Sequence, residues 1–319
     1  MISQEVAKAR ARLRSSIRAF FDGAGYLEVD TPHAATALIP EAHIEVFETA
    51  YVHPWEQGHP LFLIPSPEVH LKPLLGREFR NLYFLGHCFR NAESRSRLHN
   101  PEFTMLEWYT TNHGYLDSLA LTERLLQSIT IEPFPGSERV CAPVERITMP
   151  EAFGRFAGVS PECFAADGGM RRAAESLELR IGAADSEEDL FHRILISEVE
   201  PALPTDHPVA LINYPAFVPT LAARVPSTPY LCERWELYIA GMEIANCYTE
   251  ERDREKIAGF LEREDEAKRH GGALVNHPPA TSLLEFSNAP PASGVALGFD
   301  RLLMALLGID DIAGVIFSS

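Results

Sequence analysis

Ser293-Gly294-Val295-Ala296-Leu297-Gly298-Phe299-Asp300-Arg301 alternates small and large residues and then runs into Leu302, Leu303, Leu306, Leu307 and Gly308. Alternation is the period of a strand, so Gly294, Ala296 and Gly298 share one face. The leucine spacing that follows is helical, and Gly308 is a natural C-terminal stop. A strand face with almost no side chain lets a flat group such as a nucleobase lie against the backbone. Arg301, at the start of the helix, is placed to meet a phosphate. Taken alone, the segment is read more simply as a packing strand with an ordinary surface arginine.

Outward from it, two further groups carry charge in places that ask for a reason. Leu82 to Phe89 and Phe103 to Thr110 read as aromatic-rich strands separated by the polar stretch Arg90 to Asn100, which is long for a hairpin loop. Arg90 closes the first strand, where a guanidinium suits a bidentate clamp on phosphate; a salt bridge to Glu93 or Glu102 is the alternative. Glu236, Glu243 and Glu250 recur at intervals of seven. Seven is odd, so one straight strand would scatter them over both faces. A tight turn at Ala240-Gly241 could instead bring carboxylates together on two antiparallel strands, in the manner of a magnesium–triphosphate site. Three solvated acids are the alternative.

The rest of the chain sets bounds. It has 319 residues, 46% hydrophobic and 23% charged, with a formal net charge of −17. That is a globular composition, and its field repels phosphate backbones, which counts against a dedicated nucleic-acid binder. No run approaches a membrane span, and the first residues lack a secretory apolar core. Cys88, Cys141, Cys163, Cys232 and Cys247 are odd in number and form no CxxC pair, so a cytoplasmic, reducing location is expected. Val6 to Phe21 reads as an amphipathic helix, followed by a short strand at Tyr26 to Val29. Leu61 to Ile64, Val209 to Tyr214, Trp235 to Ile239 and Met242 to Thr249 read as strands. About 132–205 reads as a helical insertion in a single domain spanning 1–319, with a capping box at Ser186 to Asp189. Glu251 to His270 reads as a charged, solvent-facing helix.

Together these blocks resemble class II aminoacyl-tRNA synthetases. FRNAESRSRLHNPEFTMLEWY (89–109) is similar to motif 2 of that class, SGVALGFDRLLMALLG (293–308) to motif 3, and the first helix with Tyr26 to Val29 and Pro32 to motif 1. SPEVHLK (66–72), HNPEFTMLEWY (99–109) and GMEIANCYTE (241–250) resemble the lysyl-tRNA synthetases. Motif 1 begins so early that no anticodon-binding domain is expected before it. In this the chain resembles the free-standing paralogues that join (R)-β-lysine to elongation factor P.

The resemblance implies an α+β fold, a largely antiparallel sheet of six or seven strands flanked by helices, and a homodimer built on motif 1. It implies ATP and Mg²⁺, elongation factor P as acceptor in place of tRNA, and no membrane partner. It implies that a carboxylate attacks the α-phosphate of ATP and that the acyl-adenylate then passes to an amine. Carried over position by position, Arg90 and Arg301 are the catalytic arginines, on the α- and γ-phosphates. Asn91, Glu93, Asn100, Glu243, Ile244 and Gly298 join them around ATP, and Glu236 with Glu243 takes the metal. Ser66, Pro67, Glu68, Tyr109, Glu250 and Ala296 line the amino-acid pocket, with Glu250 and Tyr109 on the side-chain amine. Ala296 stands where the tRNA enzymes usually carry glycine, and its methyl favours a shifted amine. Ala92 stands where the class usually has the glutamate that reads adenine, and Glu93 follows one place later.

Overall fold

The computed structural model describes residues 2–92, 96–129 and 134–317. Eleven strands form in chain order. They are β1 (Leu27–Glu28), β2 (Ala34–Ala35), β3 (Glu48–Tyr51), β4 (His59–Leu63), β5 (Leu82–Phe89), β6 (Glu102–Thr111), β7 (Glu145–Thr148), β8 (Val209–Pro215), β9 (Leu231–Ile239), β10 (Met242–Thr249) and β11 (Ala292–Gly298). The helices are α1 (Gln4–Gly23), α2 (Glu68–Gly76), α3 (Tyr115–Ser128), α4 (Ser137–Val140), α5 (Met149–Ala157), α6 (Gly169–Ser176), α7 (Glu187–Ile194), α8 (Arg254–His270) and α9 (Phe299–Leu307).

The main sheet has eight strands in the order β1-β5-β6-β11-β10-β9-β8-β7, and β2-β4-β3 form a small second sheet. The centre is antiparallel, as expected, but the sheet is larger than the six or seven strands expected, because β1 and β7 add in parallel at its edges. β1 falls within the short strand read at Tyr26 to Val29, whereas β7, of four residues, is too short for alternation to reveal it. A parallel pair needs a crossover, and α5, α6 and α7 provide it between β7 and β8. They close over their own aromatic core, in which Phe153 stacks on Phe191 with ring centroids 5.2 Å apart. Two of these helices start in capping boxes, Thr148 with Glu151 and Ser186 with Asp189, the second as its sequence predicts.

The sheet has one face under α1, α3 and α9 and another that carries the site. Val295 and Leu297 of β11 are wholly buried on the first, among Leu13, Ile17 and Phe21 of α1. That leaves Gly294, Ala296 and Gly298 on the second, as the alternation predicts. Ala9, Leu13, Ile17 and Phe21 of α1 are therefore buried within the chain itself. The charged helix α8 is not wholly solvent-facing, since Ile257, Phe260, Leu261 and Lys268 are buried under the second face. The five cysteines are free, and no helix among the described residues is long and apolar enough to cross a membrane.

Candidate active site

The spacing of the three glutamates is resolved by two local devices. Ala240 and Gly241 both have positive φ, at 56° and 73°, the conformation that a two-residue hairpin turn matched to strand twist requires. In the β9–β10 pairing Glu243 faces Tyr238, but Ala245 faces Leu237, so Ile244 is an extra residue in a β-bulge. A bulge shifts side-chain parity by one. It moves Asn246, Tyr248 and Glu250 to the face already occupied by Glu236 and Glu243. Register then builds rows across the sheet: Glu107, Ala296, Asn246 and Glu236 in one, Tyr109, Gly294, Tyr248 and Arg234 in the next.

Two cavities open on this face, of about 290 and 340 Å³, and both are lined by Glu41, Arg90, Met105, Arg234, Asn246 and Ala296. The larger one holds the phosphate-type residues. Arg301 is fixed there by donating Nη1 to the Glu243 carbonyl at 2.9 Å and Nε to the Leu98 carbonyl at 3.3 Å, with Nη2 2.9 Å from His99 Nε2. Its neighbour Asp300, 2% exposed, anchors the helix start by pairing with Arg10 at 2.5 Å and accepting the Thr104 N–H at 2.6 Å. Arg90 lies over the Phe103 ring at 5.3 Å. Asn100 lines the same cavity while donating to the Glu102 carbonyl. Gly298 leaves room, for a Cβ there would stay 3.7 Å from the Ile244 carbonyl.

Glu236 accepts from Arg234 at 2.6 Å and from Tyr238 at 3.0 Å. Burial, then the Glu236 charge beside it, pushes the Glu243 carboxyl up to about 7, although Arg301 stands 3.6 Å away. Three guanidiniums (Arg90, Arg234 and Arg301) line this cavity together with the carboxylates of Glu41, Glu236, Glu243 and Asp300. That donor set fits a polyphosphate arriving with its divalent cation, the carboxylates taking one or two of the metal's positions. Among the described residues no group of three or more His, Cys, Asp or Glu is arranged to hold a metal by protein ligands alone.

The smaller cavity is acidic. Glu107 (3% exposed) accepts from Ser66 Oγ at 2.7 Å and Tyr109 Oη at 3.0 Å. Glu250 (4% exposed) lies with Oε2 2.6 Å from Lys72 Nζ, while Oε1 has no hydrogen-bond partner. Lys72 (1% exposed) also pairs with Glu68, whose Oε1 accepts from Tyr248 Oη at 3.2 Å. Burial alone would lower the Lys72 ammonium's pKa, but Glu250 and Glu68 outweigh it and hold it well above the usual value. One ammonium cannot neutralise three carboxylates. Burial, then Glu68, pushes Glu107 up to about 8; burial also raises Glu250 to about 8, against the pull of Lys72. The site holds protons where a cation belongs. Gly294 is required there, because a Cβ would stand 2.5 Å from Tyr109 Cε1 and 2.7 Å from Glu250 Oε1.

The structure thus brings Ser66, Glu68, Tyr109, Glu250 and Ala296 to one cavity, and Asn100, Glu236, Glu243, Ile244, Gly298 and Arg301 to the other, with Arg90 and Ala296 between. Two residues have other work. Asn91 lines neither cavity; its N–H donates to the Glu45 carbonyl and its amide to that of Val46. Pro67 lies just before α2, and its carbonyl accepts the N–H groups of His70 and Leu71. Glu93 lies outside the described residues. Ala92, just before it, has left-handed φ of 54°. Sequence reasoning missed Lys72, Glu107, Arg234, Asn246 and Glu41. Glu107 had a signal, a charge inside the apolar run Met105 to Tyr109, which a buried strand tolerates only with partners.

Residues 2–318 match the family model for class II tRNA synthetases (D, K and N). The elongation factor P–(R)-β-lysine ligase of Enterobacter sp. (strain 638) is 37% identical over 315 residues, covering 96% of this chain and 92% of that protein. The ligases of the same name from Yersinia enterocolitica and Proteus mirabilis are 35% and 36% identical over 314 residues, with the same coverage. With an antiparallel-centred sheet carrying an arginine-lined cavity beside an acidic one, and with these matches over nearly its full length, the chain belongs to the class II tRNA synthetases (D, K and N).

Proposed function

We propose that the protein is an ATP-dependent ligase that activates (R)-β-lysine, or lysine, as an adenylate and transfers it to a lysine of elongation factor P. The observation that carries this reading is the surplus of carboxylates, the buried Glu107 and Glu250 and the half-buried Glu68, around the single ammonium of Lys72, next to a cavity walled by Arg90, Arg234 and Arg301. A long diamino acid satisfies both ends: its distal ammonium offsets the acidic cavity and its carboxylate reaches the arginines.

Arg90 then holds the α-phosphate side of the junction and Arg301 the far phosphates, each in a fixed geometry before the reaction begins. Glu236 and Glu243 would hold Mg²⁺, which when bound neutralises charge on the phosphate oxygens. Ala296 and Gly298 form the flat floor on which carboxylate and nucleotide meet. The reading includes a homodimer, as the resemblance of α1 to motif 1 implies, and sedimentation of the pure protein at micromolar concentration tests it. For the activity, the protein is incubated with ATP, Mg²⁺ and labelled lysine isomers, with elongation factor P and tRNA supplied separately. Elongation factor P should gain the mass of one lysyl residue. Label on tRNA instead, or on neither, rejects the acceptor.

A further inference from the structure

Joining an activated carboxyl group to a lysine needs a base. A lysine ammonium keeps its proton up to about pH 10.4, so near neutral pH only roughly one acceptor in a thousand carries the lone pair that attacks. Among the residues that line the acidic cavity there is one histidine, His192, and it comes from the helical insertion rather than from a motif block. Helix α7 has two sides. Leu190, Phe191 and Ile194 are wholly buried in the insertion's own core, which leaves Glu188 and His192, four apart and so on a common face, lining the cavity. Phe191 also packs edge-on against Phe217 at 5.9 Å, setting α7 beside the loop 218–221. The cavity's open end lies between these two elements. Among its lining residues Pro219 alone is exposed, whereas Glu107 and Glu250 at the far end are 3% and 4% exposed. On the third side His43 stands 4.0 Å from Glu188. Neither ring nitrogen of the half-buried His192 makes a hydrogen bond or ion pair with any described residue, and neither is sealed from solvent as His70 Nε2 is.

We infer that the acceptor lysine enters between α7 and the loop 218–221 and that His192 is the general base that takes its proton, an inference that rests on the ligase reading of the site. Glu188 and the acidic wall favour an incoming cation, and the imidazole then removes the charge that keeps it from attacking. One proton passes from the ammonium to a neutral ring nitrogen, and the freed lone pair attacks the carbonyl carbon of the adenylate. The C–N bond forms, the bond from that carbon to the α-phosphate oxygen breaks, and AMP leaves with the electron pair. The second proton leaves the nitrogen for the departing phosphate or water as the intermediate collapses. The charges facing the ring are Glu236 and Arg234 of β9, His43 of the 38–46 segment and Asp189 of its own helix. Burial outweighs them and lowers the imidazole below its ordinary value, so the ring is neutral and able to accept a proton near neutral pH.

The test separates the two steps in wild type, His192→Gln and His192→Ala. Adenylate formation is read by ATP–pyrophosphate exchange with the lysine isomers. Transfer is read by single-turnover mixing of the preformed adenylate complex with elongation factor P. His192→Gln should slow transfer by about 100-fold, the lower end of general-base catalysis, while exchange stays within about twofold. Between about pH 7 and pH 9 the wild-type transfer rate should stay level, because base and ammonium exchange a proton within the complex. That of His192→Gln should climb about tenfold per pH unit, following the fraction of free amine. Added imidazole should restore part of the transfer in His192→Ala, which a merely structural role would not allow. Transfer at the wild-type rate in His192→Gln, a loss shared equally with exchange, or a level pH profile in that variant overturns His192 as the base. A wild type that forms no adenylate, or one that elongation factor P does not discharge, overturns the ligase reading itself, and the assignment falls with it. Thermal melts of the variants identify any loss that comes from unfolding.

Discussion

Ala296 and Arg301 stand five residues apart and do opposite things: one withholds space and the other supplies charge. The Ala296 methyl lies on the site face at the junction of the cavities. A methyl-sized difference in a pocket is worth roughly 1–3 kcal/mol, about 10–200-fold. Ala296→Gly should therefore raise the kcat/KM for α-lysine relative to β-lysine without abolishing ATP use; an unchanged ratio removes Ala296 from the choice. Arg301 and Glu243 touch each other and face the phosphate cavity. Arg301→Ala and Glu243→Ala should each lower ATP–pyrophosphate exchange by at least about tenfold, the usual scale for one phosphate or metal contact. Near-normal exchange in either variant rejects the role given to that residue. Most of these positions were legible in the sequence because they sit inside short blocks with a recognisable order. Lys72 was not, although it lies in one such block. Its meaning comes from Glu250, at the end of a strand far along the chain, and only the fold brings the two together.

Hairpin and bulge decide whether Glu236, Glu243 and Glu250 form a site or scatter. Ala240 is held at a φ of 56° without being glycine, and a left-handed residue with a Cβ costs roughly 1–2 kcal/mol. Ala240→Gly should stabilise the protein by up to about 1 kcal/mol, after glycine's own entropic cost, with exchange activity unchanged. A lower melting temperature in that variant shows that the turn is not strained. The turn itself was legible from Ala240-Gly241, and so were the bounds of β5 and β10. The bulge at Ile244 was not, since it is a property of pairing rather than of either strand. Helix α2 was hidden for a local reason: it has no side-chain N-cap and carries Pro73 inside it. The edge strand β7 was hidden by brevity.

At the scale of the whole molecule, the substrate pocket is a debt against stability. Glu107 and Glu250 are raised to about 8 in the folded protein, so between the ordinary carboxylate value and about 8 it binds protons that the unfolded chain has released. Stability from that source falls as pH rises. The buried His277 and the half-buried His70 and His192 have lowered values, because burial disfavours their charged form, and act in the opposite sense, but only below the ordinary imidazole range. From about pH 7 to about pH 8 the melting temperature of the ligand-free protein should therefore fall, and a bound lysine isomer should flatten the decline by supplying an ammonium in place of protons. A melting temperature that rises over this interval, or a slope indifferent to lysine, contradicts the charge surplus. The small-residue floor of β11 has a last consequence. Gly294 lies beside the acidic end and Ala296 at the junction, two strand residues or about 6.8 Å further along. A strand does not stretch, so the protein carries a ruler for the chain it activates. Ornithine, shorter by one methylene, would reach one end only, and misplacement on the order of 1 Å can cost about 100-fold in rate. Length, gauged by a backbone, would then be rejected as firmly as a wrong charge.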